Sequence, residues 1–206
     1  MHDDEAPETE LRRARGFPGE VGDAPPPADR GAALRLYTLG HSTRSLDELL
    51  HLLRAHDVGV LADVRRFPRS PRNPQFNDEH LARSLPEAGV RYAWLAPLGG
   101  RRRSRTRSLA NAGWRNPSFR AYADYMLTDE FEQCLAELLG LAKGARVAVM
   151  CAEAVPWRCH RSLIADVLSA RGFAACHIRT LRRAGLHRLS SFARVDGHQL
   201  TYPPPD

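Results

Sequence analysis

Short apolar runs alternate along the chain with stretches in which apolar residues recur every three or four positions, beginning at Leu34. The short runs are typical of buried strands, and the wider spacing is typical of helices with one buried face. Strands are predicted at residues 34–40, 58–65, 90–95, 146–151 and 173–178. Helices are predicted at residues 45–56, 77–89, 117–144 and 158–172, with Ser45 and Asn77 as caps, a break at Thr128 and an end at Gly172.

Strands that alternate with helices indicate βαβ units, in which a parallel sheet is covered by helices on both faces. The run "RVAVM" at residues 146–150 supports this interpretation, since a strand buried on both faces is apolar without alternation. The predicted fold is therefore α/β, a Rossmann-like three-layer sandwich with a mostly parallel sheet of about five strands. Residues 180–206 have a less distinctive pattern.

The first 33 residues are rich in proline, glycine and charge and lack apolar periodicity. Such a segment buries too little apolar surface to offset the entropy of ordering. We expect residues 1–33 to be a disordered, acidic and proline-rich leader, followed by a single α/β domain at residues 34–206. The acidic N-terminus is unlike a secretory signal and the chain has no long apolar run, so we expect a cytoplasmic protein with no membrane partner and four reduced cysteines.

The net charge of +6 conceals an asymmetry, because residues 1–33 carry a net charge of −4 and residues 34–206 a net charge of +10. A strongly cationic domain favours an anionic partner, either a small molecule or a nucleic acid. Lys143 is the only lysine among the thirty basic residues, so a general preference for arginine accounts for part of this signal. In the basic segment "GGRRRSRTR", five arginines predict contact with single-stranded nucleic acid, although a solvated loop is the alternative. They are Arg101, Arg102, Arg103, Arg105 and Arg107.

Polar side chains follow three of the predicted strands, and the carboxyl ends of parallel strands meet at one edge of a sheet. We expect a ligand pocket there, closed by the glycine-rich start of the basic segment. The catalytic candidates are His41, Asp63, Cys151 and Glu153. The substrate-binding candidates are Ser42, Arg65, Gly99, Gly100, Arg101, Cys159, His160 and Arg161.

Cys151 follows a buried strand and precedes a helix, where backbone N–H groups and arginines would lower the pKa of a thiol. This position suits a nucleophile, and a small buried structural residue is the alternative. Glu153 suits a general acid or base or a contact to a ribose hydroxyl, and pairing with Arg65 or Arg161 is the alternative. Asp63 and Arg65 point the same way from one strand, so they form either an internal ion pair or a phosphate contact that Asp63 orients.

We expect Arg161 to face a ligand, so that its replacement by Ala removes binding at little cost in stability. A metal site would use Cys151, Cys159 and His160, with His41 as a further candidate ligand. The gap of eight residues and the adjacent Cys159 and His160 do not match the usual paired spacings of zinc ligands. The sequence therefore predicts no stoichiometric zinc or iron, and it assigns no cofactor.

Several motifs in order resemble one known family. They are "YTLGHSTRSLDELL", "DVRRFPRSPRNPQF", "LGGRRR", "GWRNPSFRAYADYM", "VMCAE" and "CHRSLIADVL". Together they are similar to the family catalogued as domain of unknown function 488. The resemblance covers residues 36–178, most of the predicted domain, and implies no particular reaction.

The sequence favours an enzyme, a hydrolase or a transferase, that acts on a phosphate-bearing substrate such as a nucleotide or a nucleic acid. The alternative is a non-catalytic module that binds nucleic acid or regulates a partner, in which the same polar residues form a structural network. A pocket deep enough for a nucleoside favours the enzyme, whereas a filled sheet edge with a broad arginine face favours the module.

Overall fold

A computed structural model describes residues 34–103 and 109–204 of the chain. The predicted leader at residues 1–33 lies outside this described part, and so do Arg105 and Arg107 of the basic segment. The boundary between the leader and the domain stays a prediction.

Eight strands and five α-helices follow one another in the described residues. The strands are β1 (Arg35–Gly40), β2 (Val60–Asp63), β3 (Arg91–Trp94), β4 (Val147–Cys151), β5 (Ala174–Thr180), β6 (Arg183–Leu186), β7 (Arg194–Asp196) and β8 (Gln199–Thr201). The helices are α1 (Leu46–Ala55), α2 (Asp78–Glu87), α3 (Pro117–Tyr125), α4 (Asp129–Leu141) and α5 (Arg161–Ala170).

Six strands form the central sheet in the order β3-β2-β4-β1-β5-β6. Strands β1 to β5 all run parallel to one another, and β6 pairs antiparallel with β5 at the edge. The mostly parallel sheet confirms the predicted fold class. The sheet has one strand more than the sequence predicted, and a separate hairpin of β7 and β8 follows it.

Side chains of β4 alternate between two hydrophobic clusters, one on each face of the sheet. Val147, Val149 and Cys151 pack into the cluster that includes residues of α3, α4 and α5. Ala148 and Met150 pack into the cluster that includes residues of α1 and α2. Because both faces are covered, the molecule has the helix, sheet and helix layers of a three-layer sandwich.

Local sequence signals set most of the helix ends. The Ser45 side chain accepts from the backbone N–H of Glu48, and Glu48 accepts in return from the backbone of Ser45, which completes a capping box. Thr128 caps α4 and divides the long helical stretch as predicted. Asn77 precedes α2 but does not cap it, because its Oδ1 accepts from the backbone N–H of Ser70 instead. No helix among the described residues is long and apolar enough to cross a membrane.

Candidate functional site

Strands β1, β2 and β4 end side by side. Gly40 is opposite Cys151, and Asp63 is opposite Met150. Hydrogen bonds continue past the end of β1, where the backbone N–H of His41 donates to the carbonyl of Cys151 at 2.9 Å. Parallel pairing therefore brings the three predicted strand exits to the same edge.

A pair of cysteines lies at this edge. The Sγ atoms of Cys151, at the end of β4, and Cys159, just before α5, are 2.9 Å apart. The Nη1 of Arg161 donates to the sulfur of Cys151, also at 2.9 Å. The backbone N–H of Arg161 and the Nδ1 of His160 each lie 3.5 Å from the sulfur of Cys159. Three hydrogen-bonding groups thus converge on two adjacent sulfur atoms.

Arg161 lies inside the protein, with only 1 % of its surface exposed. Its guanidinium donates to the carbonyl oxygens of Leu39, Glu153 and Ala154 at 2.5, 3.1 and 3.3 Å. It ties the end of β1 to the loop after β4. The expectation that Arg161 faces a ligand and can be removed at little cost is therefore wrong, because its loss would leave buried carbonyls unpaired.

The cysteine pair supplies the negative charge that a buried guanidinium requires. Among residues 34–103 and 109–204, no carboxylate forms an ion pair with Arg161. Donation from the thiol of Cys151, followed by His160 and Arg161, lowers the pKa of Cys159 well below its usual range. The same contact with Cys159, followed by burial, raises the pKa of Cys151. The two thiols therefore titrate as one coupled pair, in which ionisation of Cys159 is favoured and ionisation of Cys151 is opposed.

Asp63 and Arg65 form an internal ion pair at the end of β2. Asp63 is fully buried, and its carboxylate accepts from the Nε of Arg65 at 2.8 Å and from the hydroxyl of Tyr92 at 2.8 Å. Arg65 also donates to the carbonyl of Phe76 and lies 3.3 Å from the Nε2 of His41. The internal ion pair is therefore present. A phosphate contact that Asp63 orients is also compatible with the geometry, because Arg65 lines the cleft described below.

His41 is a buried, neutral partner of this pair. Its Nδ1 lies 2.8 Å from the carbonyl oxygen of Ser42, and its ring packs 4.2 Å from the ring of Phe76. Burial and the nearby charge of Arg65 lower the pKa of His41 to about 4. The Nδ1 therefore carries the proton at neutral pH, which leaves the Nε2 as an acceptor for Arg65.

A cleft of about 340 Å³ opens over the cysteine pair, and its volume lies within the range of about 300–1,000 Å³ that is usual for small-molecule sites. Glu153 is the one acidic residue that lines it, against four arginines. The lining residues are Arg65, Arg66, Phe67, Arg69, Gly100, Arg101, Cys151, Ala152, Glu153, Cys159 and His160. A second cleft of about 200 Å³ shares Gly100, Arg101, Glu153, Cys159 and His160 with the first, and it extends towards α3.

Seven of the twelve predicted site residues line the larger cleft, and five do not. Those that line it are Arg65, Gly100, Arg101, Cys151, Glu153, Cys159 and His160. Those that do not are His41, Ser42, Asp63, Gly99 and Arg161. The role predicted for Arg161 is corrected above, and the roles assigned to the other eleven stay predictions. In the described part of the chain, no group of three His, Cys, Asp or Glu side chains has the arrangement of a metal site.

The profile of the family described as "Domain of unknown function DUF488" matches residues 45–168, which is more than half of the chain. The chain belongs to this family. No curated protein and no solved structure matches the chain. The family assignment confirms the resemblance found in the motifs, and the matched segment of the DUF488 domain contains the whole lining of the cleft.

Two glycines let the loop after β3 close over the site of the DUF488 domain. A Cβ on Gly99 would lie 2.7 Å from the backbone nitrogen of Arg66, and a Cβ on Gly100 would lie 2.8 Å from the Nδ1 of His160. Arg101 follows with a φ of 59°, an unusual backbone conformation for a non-glycine residue. The predicted closing loop therefore depends on close backbone approach at both glycines.

Arg102 does not project from the DUF488 domain as the nucleic-acid hypothesis requires. Its guanidinium lies 3.5 Å from the centre of the Tyr125 ring and donates to the carbonyls of Gly99 and Pro97. Arg101 and Arg103 are exposed. Of the five arginines predicted to contact nucleic acid, two are exposed, Arg102 is turned inward and two lie outside the described residues.

Two features of the site were missed in the sequence. Phe67, which is 65 % exposed, presents an aromatic ring to the larger cleft, and a single aromatic residue among arginines gives no periodic signal. Gly40 lets the end of β1 contact the loop after β4, because a Cβ there would lie 1.8 Å from the carbonyl oxygen of Glu153. The position of Gly40 at a strand end was the available signal.

A buried polar network beside the site was also missed. The Thr38 hydroxyl lies 2.7 Å from the Nδ1 of His177, and the Nε2 of His177 lies 3.0 Å from His187. His187 in turn lies 2.7 Å from the carboxylate of Asp166 on α5, which also accepts from the hydroxyl of Tyr202. This network ties the segment after β6 to α5, whose first residue is the buried arginine of the site.

Proposed function

We propose that this DUF488 domain is an enzyme, a hydrolase or a transferase, that acts on a phosphate-bearing substrate in the larger cleft. The observation that carries the proposal is a pair of cysteines, with sulfur atoms 2.9 Å apart and in contact with a buried guanidinium, at the floor of a cleft that is lined by arginines. In such a reaction the arginines would bind the negative charge of the substrate. The cysteine would supply the nucleophile. Cys159, rather than Cys151, is the nucleophile in this proposal, since it is the more exposed sulfur and belongs to both clefts.

Two exposed arginines bind the phosphate in this proposal. Arg66 and Arg101 line the cleft from two different loops, and their guanidinium groups form no ion pair with a carboxylate of the described residues. Arg69 pairs with Asp78 and Glu79, so its charge is partly neutralised. The phosphate would therefore lie between Arg66 and Arg101.

The exposed ring of Phe67 favours a nucleotide or a single-stranded nucleic acid over a simple phosphate ester. Aromatic side chains beside cationic groups stack on nucleobases, and each stacked base contributes about 1–3 kcal/mol to binding. Phe67 follows Arg66 directly in the chain, so one short loop would hold both the base and its phosphate.

The chemical step begins when the Sγ of Cys159 attacks an electrophilic atom of the substrate. A new bond to sulfur forms, and the bond between that atom and its leaving group breaks. Glu153, which is exposed and lines both clefts, donates a proton to the leaving group and then removes one from the acceptor. The acceptor then attacks the same atom, the bond to sulfur breaks and the Cys159 thiolate is restored. Water as the acceptor gives a hydrolase, and a second substrate gives a transferase.

Calorimetric titration of the reduced protein with nucleoside mono- and diphosphates and short single-stranded oligonucleotides tests the proposal. We expect binding that weakens about tenfold or more in Arg66→Ala and in Arg101→Ala, since a hydrogen bond to a charged group contributes about 1.5–3 kcal/mol. Arg146→Ala is the matched control, because Arg146 lies at the opposite edge of the sheet, beside Asp57. Cys159→Ser should keep binding and lose turnover. Binding that is absent for every probe, or equal in all the arginine variants, would contradict the proposal.

The alternative of a non-catalytic nucleic-acid module predicts a different result. Binding would then require the exposed Arg103 and would be unaffected by Cys159→Ser in every assay, with no turnover of any oligonucleotide. The inward position of Arg102 reduces the arginine face on which this alternative depends.

A further inference from the structure

The two sulfur atoms at the floor of the cleft are close enough to bond to each other. They lie 2.9 Å apart, and a disulfide has a sulfur–sulfur bond of about 2.05 Å. Cys159 follows a short 3₁₀ turn and precedes α5, with extended backbone. A small movement in this connection is enough to close a bond to Cys151, the last residue of β4.

The two sulfurs differ in the ways that disulfide formation requires. Cys159 has the lowered pKa of the pair, and its 7 % exposure lies at the floor of two adjoining clefts, where a small oxidant can reach it. Cys151 is 2 % exposed, and its contact with Cys159 raises its pKa. One sulfur is therefore the site of attack by an oxidant, and the other is a protected second thiol.

Oxidation of Cys159 would activate Cys151. Contact with Cys159 is the largest cause that raises the pKa of Cys151, and it would disappear once Cys159 carried a neutral sulfenic acid. The guanidinium of Arg161 would remain 2.9 Å from the sulfur of Cys151 and would stabilise its thiolate. After the oxidation, the positive charge of Arg161 would favour ionisation of Cys151, because Cys159 would no longer carry a thiolate.

We propose that Cys151 and Cys159 form a peroxide-sensitive modification site that closes to a reversible disulfide. The thiolate of Cys159 attacks a hydroperoxide, so that a sulfur–oxygen bond forms, the oxygen–oxygen bond breaks and the displaced oxygen leaves as an alcohol or water after taking a proton. The sulfur loses two electrons and the peroxide gains them. The sulfur of Cys151 then attacks Cys159, and the hydroxyl group leaves as water with the proton of Cys151. A dithiol reductant returns two electrons and two protons and is itself oxidised to a disulfide.

The regulatory consequence rests on the proposed function, because the same Cys159 thiolate is the proposed nucleophile. A closed disulfide would remove that nucleophile until a dithiol restored it. The chemistry of the pair itself does not require that function, since the oxidant attacks the sulfur directly.

Mass mapping of the wild-type chain after treatment with equimolar hydrogen peroxide tests the proposal without any ligand. We expect a disulfide between Cys151 and Cys159 that dithiothreitol reverses, while Cys134 and Cys176, both buried and free, stay reduced. Cys151→Ser should accumulate a sulfenic acid on Cys159 that dimedone traps, and Cys134→Ser, the matched control, should behave as wild type.

Two results would overturn the proposal. One is that the pair stays reduced while the peroxide oxidises another cysteine, and the other is that Cys159→Ser does not slow oxidation of Cys151. A disulfide in a protein that binds no nucleotide would leave this proposal standing and contradict the proposed function. Nucleotide binding in a protein that forms no disulfide would contradict this proposal and leave the proposed function standing.

Discussion

Acid should destabilise the fold through the buried imidazole of His177. Burial, followed by the nearby His187, Arg161 and Arg179, lowers the pKa of His177 from 6.5 to about 4, and Asp166 opposes this effect. The imidazole faces the Thr38 hydroxyl on one side and His187 on the other. As the pH falls from 6.5 to about 4, the unfolded chain binds a proton at this position that the folded chain does not.

The expected loss follows from the two pKa values. Each unit of difference corresponds to about 1.36 kcal/mol, so lowering the pH to 4 should remove about 3 kcal/mol from the free energy of unfolding. Above pH 6.5 the imidazole is neutral in both states and contributes no slope. His41, whose pKa is also lowered to about 4, should add a second loss of similar size in the same range.

Urea unfolding of wild type and His177→Gln at a series of pH values isolates the first contribution. Gln keeps a polar side chain that does not titrate, so the variant should be less stable at neutral pH and lose about 3 kcal/mol less on acidification. His51→Gln, which removes an exposed imidazole from α1, is the matched control and should keep the wild-type slope. Equal slopes in wild type and His177→Gln would refute the reasoning.

Four further substitutions have expected effects on stability that urea unfolding can measure. Gly40→Ala should cost about 1–3 kcal/mol, because its Cβ would meet the backbone of Glu153. Gly140→Ala should stabilise the protein by up to about 1 kcal/mol, because Gly140 is exposed on a helix and a Cβ there would have nothing within 4 Å. Equal changes in stability in Gly40→Ala and Gly140→Ala would contradict the expected clash at Gly40. Arg161→Met should cost about 3–5 kcal/mol through the loss of buried contacts, and a cost below about 1 kcal/mol would count against the buried network. Arg69→Ala should change stability by less than about 1 kcal/mol, because its ion pairs are exposed, and a larger loss would show an unrecognised role.

The sequence was sufficient for the parallel sheet and for the edge at which β1, β2 and β4 end side by side. A strand such as β4, apolar at every position, has few alternatives to burial on both faces, and parallel strands must end at one edge. Short strands are harder to find, because β7 and β8 have three residues each and too few positions to show alternation. Local capping is also ambiguous, as Asn77 shows, since its side chain had a second backbone N–H within reach.

The direction of side chains at the site could not be read from their spacing. Arg161 begins α5, where a side chain can face solvent, a ligand or the sheet, and only the packed position of β1 decides among them. The contact between Cys151 and Cys159 depends on the path of the loop that joins them. The sequence therefore identified most of the residues of the cleft but not which of them form its floor.

The pH dependence of the ultraviolet absorbance of the thiolate tests most directly whether the cysteine pair carries a negative charge at neutral pH. Wild type should show one thiolate per chain at neutral pH, and the signal should persist well below the usual cysteine pKa of about 8.5. The signal should be lost in the double variant Cys151→Ser/Cys159→Ser and kept in Cys134→Ser. A wild-type protein with no thiolate until the pH passes the usual cysteine range would contradict the account.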